Sequence, residues 1–226
     1  MLNIDNATYK ISDFKTFCIP HLVINPNESW AFVGSNGSGK STLVRALANE
    51  QQILKGKADN FFNKIEHISF EQLQKIVEQE WNRNNTDMLS EGEDDTGLTV
   101  EQMIQEKVTN TALCLKLAQQ FGIAHLLEQR FKYLSTGETR KTLLCRILMS
   151  EPDLLILDEP FDGLDVQSRH QLAELLASLS QQGLTLILVL NRINDIPNFV
   201  EKVGLLVECQ LVKTGSREAI LHDEVV

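Results

Sequence analysis

The stretch Gly34-Ser35-Asn36-Gly37-Ser38-Gly39-Lys40-Ser41-Thr42 decides the fold. It satisfies G-x-x-x-x-G-K-[ST] at every fixed position. The apolar run Trp30-Ala31-Phe32-Val33 precedes it as a strand, and Leu43, Ala46 and Leu47 follow at the spacing of one buried helix face. Strand, glycine loop and helix therefore come in the order that a phosphate-binding loop requires. Glycines at 34, 37 and 39 let the backbone curl so that its N–H groups converge, and the helix behind adds its positive end. The loop is suited to a polyphosphate. In that reading Lys40 neutralises the β- and γ-phosphates and the Ser41 hydroxyl ligates Mg²⁺. A turn that merely joins strand to helix does not account for a lysine at a helix start, where the dipole disfavours a cation.

The remaining composition bounds the setting. A chain of 226 residues with 42% hydrophobic content can bury a full core, as one α/β domain or one domain with a small subdomain. The longest apolar run, Leu184 to Leu190, is broken by Thr185 and falls far short of the ~20 residues that span a bilayer. No basic, apolar leader opens the chain, so a soluble, cytoplasmic protein is expected. Cys18, Cys114, Cys145 and Cys209 lie far apart with no C-x-x-C pair, which predicts free thiols. A net charge of -10 argues against a dominant nucleic-acid surface.

Along the chain, residues 2–24 read as strands interrupted by Pro20, and Asn25-Pro26-Asn27-Glu28 is a turn into the loop's strand. Lys55-Gly56-Lys57 reads as a further turn, and Ile65 to Phe70 as a short strand. Residues 73–133 change character: a helical opening, a polar and acidic stretch from Asn82 to Gly97, then a helical pattern from Val100 through Leu127. They read as a helical insertion. The run Glu91-Gly92-Glu93-Asp94-Asp95 lacks calcium-loop spacing and reads as a solvated loop. Beyond Tyr133, a helix from Ser135 to Met149, a buried strand at Leu154–Leu157, a helix capped by Asp165 and a buried strand ending at Leu190 alternate. Such alternation predicts a parallel sheet covered on both faces.

Asp158 and Glu159 close the strand at 154–157, where open α/β sheets place their ligand groups. Two acids after an apolar strand are costly unless they face a cation, a water or another polar partner. Asp158 fits the acid that holds Mg²⁺ through its waters, and Glu159 fits a general base for an attacking water.

Leu134-Ser135-Thr136-Gly137-Glu138 resembles the signature of ATP-binding-cassette ATPases, Phe161-Asp162-Gly163-Leu164-Asp165 resembles their D-loop, and Gln72 ends a strand where their Q-loop belongs. With the phosphate loop and the acid pair, these motifs stand in the family's order over most of the chain. The resemblance implies a P-loop NTPase core with an N-terminal antiparallel β subdomain and a helical insertion. It also implies hydrolysis of Mg-ATP in a head-to-tail pair of cassettes. In that pair Ser135 and Gly137 reach the γ-phosphate bound to a partner's loop, while Gln72 joins Ser41 and Asp158 around the metal. Ser135-Thr136-Gly137-Glu138 is also an S-x-x-E capping box, and both readings can hold together. The family's usual histidine after the last core strand is replaced by Asn191, which can donate a hydrogen bond but carries no charge, so slow hydrolysis is expected. Ile11 stands where the family places an aromatic against adenine, with Tyr9 and Phe14 nearby.

Residues 70–74, 81–89 and 133–141 look like the first cassette of tandem ATP-binding proteins associated with molybdate transport. The chain holds one phosphate loop and one signature, so it is either half of such a protein or a half-size homologue. The implied partners are a second cassette and a transmembrane transporter subunit, whose coupling helix would dock on residues 73–133 and hold the chain at the inner face of the membrane. A soluble cassette ATPase acting on a cytosolic target, or a slow ATP-dependent switch, fits the same motifs. No residue is assigned to molybdate.

Overall fold

The computed structural model describes residues 1–69, 75–80 and 97–223. They divide into two compact units, Met1–Ser69 with Pro152–Asp162 and Ala173–Val226, and Phe70–Glu151 with Gly163–Leu172.

The first unit contains a nine-stranded mixed sheet. Its strands are β1 (Leu2–Lys10), β2 (Thr16–Ile24), β3 (Ser29–Val33), β4 (Ile53–Asn60), β5 (Ile65–Ser69), β6 (Leu154–Asp158), β7 (Thr185–Leu190), β8 (Lys202–Val207) and β9 (Gln210–Ser216). The order is β4-β1-β2-β9-β8-β3-β7-β6-β5. From β8 to β5 neighbouring strands are parallel, whereas β1 pairs antiparallel with both β2 and β4. The expected combination of parallel core and antiparallel N-terminal strands is therefore present, in one sheet. Every residue of β3 and β7 is buried, the opening Ser29 and Thr185 included, as the apolar runs 30–33 and 186–190 require of strands covered on both faces. Helix α1 (Lys40–Leu47) buries Leu43, Val44, Ala46 and Leu47, and α7 (Arg217–Asp223) ends the described chain.

Two expectations are corrected. Lys55-Gly56-Lys57 is no turn but lies within β4. Gly56 has φ of 86°, and a Cβ there would stand 2.1 Å from the Asn6 carbonyl oxygen, beside an irregularity in the β1–β4 pairing. The glycine marks a bulge with close backbone approach. Pro20, expected to interrupt a strand, lies inside β2, whose antiparallel partner β1 continues past it.

The second unit holds α2 (75–80), α3 (Val100–Ile104), α4 (Thr111–Gln120) and α5 (Thr136–Leu148), together with the first turns of α6 (Val166–Gln181). The helical pattern from Val100 to Leu127 is broken rather than continuous. A capping box at Thr99 opens α3, the Asn110 side chain accepts from the Leu113 N–H to open α4, and Ala124–Leu126 form a 3₁₀ turn. Local caps won over periodicity here. Arg146 pairs with Glu106 and donates to the Met103 sulfur.

Glu28 sets the start of the loop-bearing strand. Its carboxylate accepts from Asn25 N (3.0 Å), Asn25 Nδ2 (2.9 Å), Trp30 Nε1 (2.8 Å) and Lys202 Nζ (2.6 Å). Burial alone would raise its pKa, but these hydrogen bonds outweigh it and hold the group at about 2. The folded value lies below the unfolded one, so the stabilisation is complete above pH 4.5 and is lost as pH falls towards 2. Linkage puts it at about 3 kcal/mol. In thermal melts between pH 6 and 2, the gap between wild type and Glu28→Gln should shrink as the pH drops; a gap that stays constant would contradict this assignment.

Candidate nucleotide site

Three parallel strands end side by side. Val33 of β3 pairs with Leu190 of β7, and Val189 of β7 pairs with Asp158 of β6. Register alone therefore brings residues 34–40, Asn191 and Glu159 to one edge, the carboxyl end where α/β sheets bind ligands. The Gly34 N–H donates to the Leu190 carbonyl at 3.2 Å and the Glu159 N–H to the Val189 carbonyl at 2.9 Å, which ties the loop and the acid to β7.

Lys40 lies at the centre, 7% exposed. Its ammonium donates to the carbonyls of Gly34 (3.0 Å) and Ser35 (3.3 Å), to Asn36 Oδ1 (3.4 Å) and to Asn191 Oδ1 (2.6 Å). Glu159 Oε1 stands 3.6 Å away. The Asn191 amide nitrogen donates to Glu159 Oε2. Its orientation is dictated chemically, because an ammonium only donates and a carboxylate only accepts. Asn191 thus bridges lysine and acid, an accepting role beyond the donor role that its sequence position suggests. Glu159 itself is left-handed, φ 55°, an uncommon backbone for a non-glycine residue and one found at functional positions.

The loop has a packed side and an open side. A Cβ on Gly34 would meet Leu206 Cβ at 2.9 Å, and one on Gly39 would meet Phe17 at 2.6 Å, so both glycines are required by packing. Gly37, φ 82°, has nothing within 4 Å of such a position. Gly39, φ 98°, opens α1 without any side-chain cap. The Ser38 hydroxyl is buried and has no hydrogen-bond partner among the described residues. An uncapped helix start, an orphaned buried hydroxyl and a fixed ammonium fit a polyphosphate. Ser35, Asn36 and Ser41 are exposed, Thr42 is half-buried, and Asp158 is half-buried at the end of β6.

Of the residues considered for the nucleobase, Tyr9 is 1% exposed on β1 and has no free face, whereas Ile11 and Phe14 are exposed between β1 and β2. Gln72 lies outside the described residues. Phe17, Leu206 and Cys209, which back the loop, carried no motif; their role follows from strand pairing that joins distant segments.

In the second unit, Ser135 caps α5 as its capping box predicted. Its hydroxyl donates to Glu138 Oε2 (2.7 Å), and its N–H donates to the same oxygen (2.8 Å). These bonds hold the Glu138 carboxyl below its usual pKa. Gly137 faces Ser168, and a Cβ there would make only an ordinary 3.5 Å contact. A cavity of about 200 Å³ opens between Ser135, Gly137, Arg140, Lys141, Ser168 and Gln171.

A family model described as ABC transporter matches residues 20–162. The chain belongs to the ABC transporter ATP-binding family. It is an ATPase domain of the P-loop class, as the order of its motifs implied, and ATP is its nucleotide. The cassette is 61% identical over 225 residues to the ABC transporter ATP-binding protein ModF of Escherichia coli K12, covering all of this chain and 46% of ModF. It therefore spans about half the length of that relative. It is 28% identical to the thiamine import ATP-binding protein ThiQ of Yersinia pseudotuberculosis, covering 98% of this chain and 92% of ThiQ. The solved structure of CbiO1 from Clostridium perfringens, part of the transporter complex CbiONQ, shares the fold with a TM-score of 0.79 at 20% identity, over 99% of this chain and 91% of CbiO1.

Asn191 supplies the bridge but no exchangeable charge. Replacing Asn191 by His should raise steady-state ATP turnover about tenfold, below the 10²–10⁴ typical of a full proton-transfer role. An unchanged rate, with chemistry shown to be limiting, would contradict a part for this position in hydrolysis.

Proposed function

We propose that the cassette binds Mg-ATP and hydrolyses it in a head-to-tail pair, and that the cycle energises transport through a membrane partner. The bridge Lys40–Asn191–Glu159 is the observation that carries this reading. It puts a cation for phosphate and a carboxylate for water within one hydrogen-bonded cluster. Lys40 and the loop N–H groups would hold the phosphates, and Ser41, Gln72 and Asp158 would hold Mg²⁺, which supplies charge neutralisation on the phosphate oxygens. Glu159 would accept the proton of the water that attacks the γ-phosphorus, with ADP leaving. Asn191 would keep the carboxylate aimed. Ile11, with Phe14 beside it, would border the nucleobase.

Ser135 and Gly137 would serve a partner's ATP. Packing among the described residues does not require glycine at 137, which supports a demand from outside the chain. The partner is a second copy or a second cassette, the latter supported by the chain's spanning only 46% of ModF. Residues 1–226 would act as one cassette, with 73–133 as its helical subdomain and docking face for a transmembrane subunit, at the inner side of the membrane. Among the described residues no helix is long and apolar enough to cross a membrane. Asn191 favours a second reading, a slow ATP-dependent switch.

Glu159→Gln should arrest the cycle after binding. Light scattering of this variant is expected to show a doubled mass with Mg-ATP and the mass of one chain with Mg-ADP. One-chain mass with both nucleotides would contradict pairing of two copies.

A further inference from the structure

β8 and β9 are joined by Glu208 and Cys209, both left-handed, with φ of 47° and 62°. Two successive left-handed residues form the kind of hairpin turn that favours Asn-Gly, because side chains at positive φ crowd their own backbone. Neither residue here is of that type. A backbone held against its preference needs contacts that hold it, and those of Cys209 converge on the phosphate loop. Its N–H donates to the Ser38 carbonyl at 3.1 Å, and its thiol donates to the Gly37 carbonyl at 3.5 Å. Its Cα would lie 3.4 Å from a Cβ on Gly39, and its own carbonyl accepts from the Cys18 N–H at 2.9 Å. The side chain is buried.

Two consecutive loop carbonyls are thus drawn towards the hairpin. In a planar trans peptide the following N–H points the opposite way. The Ser38 N–H closes the turn on Ser35 O at 3.1 Å, and the Gly39 N–H faces away from Cys209 at the uncapped start of α1. The orphaned Ser38 hydroxyl lies in the same loop, where a Cβ on Gly34 would stand 2.3 Å from it. The hairpin therefore fixes the side to which the Gly37 and Ser38 carbonyls turn, and leaves the Gly39 N–H on the other.

We propose that Cys209 is a positioning residue for the nucleotide: through its N–H and its thiol it holds the Gly37 and Ser38 carbonyls away from the phosphates. The inference rests on residues 34–42 being the ATP cradle. It separates two properties that a purely structural role would keep together. Glycine suits the left-handed turn better than alanine, and both remove the thiol, so Cys209→Gly should melt above Cys209→Ala while both bind ATP more weakly than the wild type. Alanine removes the thiol and keeps the Cβ; serine keeps a donor.

The test is titration of a fluorescent ATP analogue, with Mg²⁺, against the four proteins, beside their thermal melts. Expected is a rise in Kd of about threefold for Cys209→Ala and Cys209→Gly, the scale of one weak hydrogen bond. Cys209→Ser should recover most of the affinity, and Cys209→Gly should melt above Cys209→Ala. Wild-type Kd in Cys209→Ala, or affinity that follows melting temperature across the series, would overturn the proposal alone. A wild type that does not bind the analogue would overturn the cradle reading and the proposal with it.

Discussion

Lys40 carries a positive charge at the N-terminus of a helix and is almost fully buried, so burial and the helix dipole both oppose it. The site is arranged around that cost. Two loop carbonyls, the Asn36 amide oxygen and the Asn191 amide oxygen surround the ammonium, and Glu159 supplies the compensating charge. None of these groups is a sequence neighbour of another beyond residues 34–36. They meet because β3, β7 and β6 are adjacent, parallel and in register at their carboxyl ends. A one-residue slip would turn the flanking side chains to the other face and dissolve the cluster.

That register has its own anchors. At the amino end of β3, Glu28 gathers donors from Asn25, Trp30 and Lys202, and the Lys202 ammonium lies 5.4 Å above the Trp30 ring. At the carboxyl end the loop is pressed against Phe17, Leu206 and Cys209. The strained backbones of Glu159 and Cys209 both border it, which suits a region that must keep one geometry while a highly charged ligand enters and leaves.

Much of this was legible from residue order. The phosphate loop, the buried strands at 154–158 and 185–190 and the caps at Ser135 and Asp165 are local signals, each decided by a few adjacent side chains. What escaped depends on approach between distant segments. Gly56 looks like a turn residue until Asn6 is seen against it. Tyr9 looks like a base-stacking aromatic until the core closes over it. Asn191 looks like a weakened histidine, yet its amide accepts from a lysine and donates to an acid at once, which only the folded sheet reveals.

Titration calorimetry of Mg-ATP against wild type and Lys40→Met tests the central claim most directly, because methionine keeps an apolar stem of similar length and removes the ammonium with its charge and its donors. Losing charge-assisted hydrogen bonds of about 1.5–3 kcal/mol should weaken binding by at least about tenfold, with the fold intact by circular dichroism. Equal affinity in the two proteins would contradict the placement of the phosphates at Lys40.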